Sequence, residues 1–227
     1  MPSKSYAPYY SSAPAYSWTG MYAGLNVGYG WGGKFLDQTT YPGGMTDNSL
    51  SGKSGGLFGG QVGYNWHFAP SWVAGLEFNF DYANLKGSYT DTWCTPATCG
   101  GIAGWNTTDV KLSWLGLANA RLGYLLTDRI LIGVDGGFAF GRLKGTFNQY
   151  CTPGCSTFTQ ETTQGAVGWD AGAFAEWAFA DHWTTKLDYK YVDLTSQTQV
   201  SSSPGWTQTN KLGYHTNLMR FSVNYKF

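Results

Sequence analysis

The sequence predicts an all-β chain, an eight-stranded antiparallel up-and-down transmembrane β-barrel, and three observations carry that prediction. In the closing stretch 213–227, Met219, Phe221, Val223, Tyr225 and Phe227 fall on one face, while Leu218, Arg220, Ser222, Asn224 and Lys226 fall on the other. Strict alternation over such a length is a strand, longer than the strands of most soluble sandwiches and suited to lipid on one face and a lumen on the other. The pattern recurs upstream with alternating long and short separations, as in barrels with short turns at one end and long loops at the other. Finally, charged residues make up 12% of the chain, aromatics 18%, and there are 32 glycines. Those values give too few charges for an ordinary soluble surface and too many aromatics for disorder. A lipocalin-like soluble barrel is the alternative for such long strands, but its interior would be apolar.

Residues 1–17 are rich in Pro, Ser and Tyr without periodicity, which reads as a flexible leader outside the barrel. The barrel is assigned to 18–227. In the first strand Met21, Ala23, Leu25, Val27, Tyr29 and Trp31 point outward. After a polar gap at 32–54, the second strand places Phe58, Val62, Tyr64, Trp66 and Phe68 outward, with Gln61, Asn65 and His67 inward. Only 69–71 separate it from the third, where Trp72, Ala74, Leu76, Phe78, Phe80 and Tyr82 alternate with Glu77, Asn79 and Asp81. A second gap covers 83–108. The fourth strand then has Val110, Leu112, Trp114, Ala118, Leu122 and Tyr124 outward against Lys111, Ser113, Asn119 and Arg121.

The fifth strand sets Ile130, Ile132, Val134, Phe138 and Phe140 against Gly133, Asp135 and Gly137, and is followed by a gap at 143–166. The sixth alternates Val167, Trp169, Ala171, Ala173, Ala175, Trp177 and Phe179 with Asp170, Phe174 and Glu176. In the seventh, Trp183, Thr185, Leu187, Tyr189 and Tyr191 oppose Lys186, Asp188 and Lys190; a last gap at 194–210 precedes the final strand. An even strand number puts both termini on the short-turn side, hence periplasmic in a bacterial outer membrane, with long extracellular loops. Two aromatic girdles mark the interfaces. Trp18, Phe68, Trp72, Tyr124, Phe179, Trp183 and Phe227 lie near the short turns; Tyr29, Phe58, Phe80, Tyr82, Phe140, Tyr189 and Tyr191 lie near the long loops.

By parity the lumen receives Glu77, Asp81, Asp135, Asp170, Glu176 and Asp188 against Lys111, Arg121, Lys186, Lys190, Arg220 and Lys226. Isolated buried charges are costly, so a balanced set implies pairing, and an eight-stranded interior is narrow enough for side chains to fill. The reading is a lumen largely plugged by salt bridges. The alternative is a narrow ion path, with Gly24, Gly28, Gly59, Gly63 and Gly133 freeing space for water. Antiparallel register between strands three and four puts residues whose numbers sum to 196–198 at one depth, so Glu77 lies level with Arg121.

Function classes are excluded as plainly. Lys+Arg and Asp+Glu balance at 14 each, without the basic excess of a nucleic-acid binder. No run of about 18 apolar residues exists for a membrane helix, and no secretory signal follows Met1; an exported protein would start here at its mature sequence with an added Met. No P-loop, dinucleotide or zinc-protease motif appears. His67 points into the lumen, His182 sits in a turn, and His215 lies above the apolar band without a serine nucleophile nearby. No catalytic, cofactor-binding or metal-ligating residues are therefore assigned. Cys94, Cys99, Cys151 and Cys155 lie in the second and third long gaps; four cysteines allow three pairings, and an extracellular location favours disulfides. Cys94–Cys99 and Cys151–Cys155 are the expected pairs, with a four-thiolate metal site as the alternative.

The run 18–31, WTGMYAGLNVGYGW, resembles the opening strand of the alphaproteobacterial outer-membrane immunogenic proteins, small porin-family barrels related to opacity-type adhesins. The run 59–66, GGQVGYNW, the run 121–124, RLGY, and the stretch 168–194 are similar too. The closing face of Phe221, Val223, Tyr225 and terminal Phe227 resembles the signal read by the barrel-assembly machinery. The resemblance implies an abundant surface antigen that stabilises the envelope, in contact with outer-membrane lipids and lipopolysaccharide, with host surface ligands as further partners. It brings no catalytic residues and no cofactor. Some relatives are called porins and some bind haemin, so a small-solute or ion-conducting porin and a haemin receptor are the alternative functions; His215 is the sole ligand candidate near the loops. The two cysteine pairs depart from the family pattern.

Overall fold

The computed structural model describes residues 16–41, 44–94, 100–101, 103–152, 157–196, 199–203 and 206–227. Its ten strands are β1 (Gly20–Tyr41), β2 (Gly44–Lys53), β3 (Gly55–Ala69), β4 (Trp72–Cys94), β5 (Ala103–Thr127), β6 (Ile130–Thr152), β7 (Phe158–Ala178), β8 (Trp183–Ser196), β9 (Gln199–Ser203) and β10 (Trp206–Lys226). All pairings are antiparallel, and β1 pairs with β10 to close the ring. Eight strands form that ring. β2 continues the line of β3, since β1 pairs first with one and then with the other, and β9 stands in the same relation to β8 against β10. Among the described residues there is no helix.

The stretches expected as long loops are mostly paired strand. β5 alone spans 25 residues. At about 3.3 Å per residue and a tilt of about 40° it rises roughly 60 Å, about twice a hydrocarbon core. The hairpins therefore stand well beyond the apolar belt, because Thr, Tyr and Trp in the polar gaps suit an exposed β-ladder as well as a loop. Their upper part is incompletely joined. β2 meets β4 only at Gly52↔Gly87 and Lys53↔Lys86, and β7 above Ala166 pairs only with β6 among the described residues.

Outside, the alternation holds. Leu25, Phe58, Trp66, Leu76, Phe80, Phe138, Trp169, Leu187 and Phe221 are all exposed. Both girdles are present, with Trp72 against Tyr124 at 5.3 Å near the short turns and Phe58 against Tyr82 at 5.3 Å near the other end. Trp18 departs from its expected place. It is 1% exposed and lies inside the mouth at the short-turn end, where its indole N–H donates to Asp128 O at 3.0 Å. Tyr16 packs edge-on against it at 4.9 Å, so the end of the expected outer leader is drawn into the barrel. Residues 1–15 lie outside the described residues. Burial pushes the Tyr16 hydroxyl up to about 12, which keeps it neutral.

Candidate functional site in the barrel interior

Inward-facing residues change character along each strand. On β4 they read, from the short turn upward, Val73, Gly75, Glu77, Asn79, Asp81, Ala83 and Leu85. The same order, apolar then charged then apolar, appears on β6 as Leu131, Asp135, Ala139 and Leu143. Around the ring this builds three layers. The short-turn layer is Tyr16, Trp18, Val73, Leu131, Phe174 and Ala178. The far layer includes Leu85, Leu112, Leu115, Leu117, Leu194 and Leu218. Charges occupy the space between.

These charges form three clusters. In the first, the Arg121 guanidinium donates to Glu176 at 2.6 Å and Glu77 at 3.2 Å, while Lys186 reaches Glu77 at 2.6 Å. Tyr22 donates to Glu77 at 2.7 Å, and Thr184 to Glu176 at 2.6 Å. Arg121 lies 4.2 Å from the Phe174 ring centroid, a cation–π contact that joins this cluster to the lower apolar layer. In the second cluster Lys190 bridges Asp135 at 2.7 Å and Asp170 at 3.2 Å. In the third, Arg220 bridges Asp81 at 3.0 Å and Asp188 at 2.7 Å.

Ten of the twelve expected lumen charges are thus brought together, and the Glu77–Arg121 level is as the register predicted: Trp72↔Tyr124 and Glu77↔Asn119 both sum to 196. Two charges are not. A register shift between Leu112 and Trp114 turns the upper half of β5 over. Val110 and Leu112, expected outward, become buried, and Lys111 instead lies outside, 5.9 Å from the Tyr82 ring centroid. Lys226 sits at the short-turn mouth, donating to the backbone carbonyls of Ser17 and Thr19. The glycine notches are filled as well. A Cβ at Gly24, Gly28, Gly59, Gly63 or Gly133 would strike Asn224, Arg220, Asp81, Tyr22 or Phe174 respectively, so neighbouring side chains lie over these notches.

Residues 7–227 match the outer membrane protein beta-barrel domain family. The chain belongs to that family. It is 34% identical over 226 residues to the 31 kDa outer-membrane immunogenic protein of Brucella melitensis, covering 97% of this chain and 88% of that protein. To the 22 kDa outer membrane protein of Rhizobium leguminosarum bv. viciae it is 27% identical over 216 residues, covering 94% and 80%. Among solved structures it resembles the outer membrane protein AlkL, determined by solid-state NMR in DMPC bilayers, with TM-score 0.44 and 11% identity over 98% of this chain and 97% of that one.

The remaining candidates of this outer-membrane barrel are dispersed. His67 lies near the short-turn mouth on β3, half-buried. His182 Nδ1 donates to the Lys226 carbonyl oxygen at 2.8 Å, and His215 stacks on Tyr191 at 6.3 Å on the outer face. Phe221, Val223, Tyr225 and Phe227 form an exposed aromatic-rich edge. Cys151 is not a free thiol, whereas the side chains of Cys94, Cys99 and Cys155 lie outside the described residues. The inner leucine layer escaped the sequence reading, because Ala83, Leu85, Leu143, Ala166 and Leu194 lie in stretches read as loop and Val110 and Leu112 were given outward parity. Its available signal was the alternation of Ala83 with Leu85 and of Val192 with Leu194 beyond the girdles.

Proposed function

We propose that this chain is a structural, surface-presenting barrel of the bacterial outer membrane that stabilises the envelope, conducts no solute and carries no catalysis. One observation supports the reading above the others: the charged middle of the interior lies between two apolar layers, with long side chains filling the glycine notches. An ion crossing it would have to shed its water and break buried ion pairs. In planar bilayers the purified barrel should give no single-channel steps above baseline, and a conductance of porin size overturns the proposal. In this reading the short-turn end and both termini face the periplasm, the aromatic edge ending at Phe227 serves the barrel-assembly machinery, and the tall hairpins contact lipopolysaccharide and host ligands. A protease added to intact cells should spare an epitope fused before residue 16.

The cysteines belong to the same proposal as staples of the hairpin tips. Cys94 and Cys151 both register with Gly104, one on each side of it. Two strand spacings put their backbones about 9–10 Å apart, beyond the roughly 7 Å a disulfide spans. That excludes Cys94–Cys151, and of the two connectivities left we favour the local one, Cys94–Cys99 and Cys151–Cys155, which closes the shorter loops. Thiol labelling without reductant should find no free cysteine, and non-reducing digestion should release these two linked peptides; a Cys99–Cys151 peptide, or stoichiometric zinc, refutes the pairing.

A further inference from the structure

The three charge clusters do not balance. Arg121 and Lys186 match Glu77 and Glu176, leaving the first cluster neutral. Lys190 faces two aspartates alone, and so does Arg220. Among the described residues six buried acids against four buried bases leave a formal surplus of two negative charges, and the two bases expected to cancel it, Lys111 and Lys226, lie outside this layer. An uncompensated charge sealed between apolar layers is prohibitively costly, so something within the chamber has to offset it.

Polar atoms without a partner show where. Asn26 is 3% exposed, yet neither its Oδ1 nor its Nδ2 has a hydrogen-bond partner among the described residues. Its register neighbour on β3 is Gly59, and the neighbour of Gly59 on β4 is Asp81. The Asp81 carboxylate leans over that glycine, so that a Cβ there would strike Asp81 Oδ1. Asp81 Oδ1 is also unpaired, since Arg220 takes the other oxygen, and Asn79 Oδ1, two residues away on the same inward face, is unpaired too. Asn26 and Asp81 thus confront each other across a residue with no side chain.

We infer that the chamber holds a hard, oxygen-seeking cation, taken up as the barrel closes, with Asp81 Oδ1 and the amide oxygens of Asn26 and Asn79 among its ligands. Carboxylate and amide oxygens are the donors that sodium and calcium prefer. Among the described residues no three carboxylate, imidazole or thiolate groups converge on one point, so amides complete the set and transition metals are disfavoured. The inference rests on the sealed interior of the proposed function.

The test is to refold the full chain in detergent in the presence of radiolabelled sodium, radiolabelled calcium, or tetramethylammonium as the sole cation, then desalt it. About one labelled ion per barrel should be retained in the sodium or the calcium arm, calcium cancelling the whole surplus and sodium the one charge of the Arg220 cluster. The heat-modifiability midpoint should be lowest in tetramethylammonium. Asn26→Leu, which leaves the charge unchanged, and Asp81→Asn should each abolish retention and flatten the dependence of the midpoint on cation. Retention in neither arm, with equal midpoints and no conductance, overturns the cation and assigns the compensation to protonated carboxyls. Retention unaffected by both variants overturns this site. Rapid loss of label together with measurable conductance overturns the sealed barrel itself.

Discussion

Arg121→Ala is expected to destabilise the folded barrel by about 3–5 kcal/mol, the range for stranding a partner of a buried ion pair. The loss concentrates on one carboxylate. Glu77 keeps Lys186 at 2.6 Å and the Tyr22 hydroxyl at 2.7 Å. Glu176 loses its guanidinium and keeps only neutral donors, Thr184 at 2.6 Å and Asn224 at 3.3 Å. Arg220, engaged with Asp81 and Asp188, offers no replacement. The midpoint of the unboiled band on gels should fall, and adding Glu176→Gln should recover part of it by removing the stranded charge. Conductance should stay at baseline, because both apolar layers are intact. A variant as stable as the parent with porin-sized conductance would show that water already solvates these charges.

Trp18→Ala should cost about 3–5 kcal/mol, as for other buried tryptophans cut to alanine. Trp18 fills the mouth beside Val73, Leu131 and Phe174, and ties the chain before β1 to the β5–β6 turn through Asp128. The same change at Trp66, exposed on the outer face, provides the contrast in detergent, where a change of about 0.5 kcal/mol is the scale for surface sites. Equal, small effects at both positions would return Trp18 to the outer girdle. Trp18→Ala should leave conductance near zero, because Leu85, Leu112, Leu115 and Leu117 still close the far end.

Near neighbours in sequence carried much of this molecule. Alternation with period two is a property of a strand's own backbone, so the eight strands, their lipid-side residues apart from Trp18, Val110 and Leu112, and the short turns at 69–71 and 180–182 could be read before any contact was known. The depth of Glu77 beside Arg121 followed from counting back from one tight turn, since nothing between Trp72 and Tyr82 or between Trp114 and Tyr124 breaks register. What tertiary structure decided begins where that counting fails. A single extra residue at Ser113 reverses every side chain beyond it. That reversal moves Lys111 out, brings Leu112 in, and closes the far end with leucine. Trp18 has the outer parity of a girdle residue, but it precedes the first paired residue, Gly20, so no ladder holds it to that face. The mouth it enters is formed by Val73, Leu131 and Phe174, from β4, β6 and β7, whose inward side chains surround one space only when the sheet curls into a ring. Equal numbers of inward acids and bases were a sum over the chain, whereas charge balance is settled by which groups share a dielectric cavity; removing Lys111 and Lys226 from that cavity left two aspartate pairs each with one base.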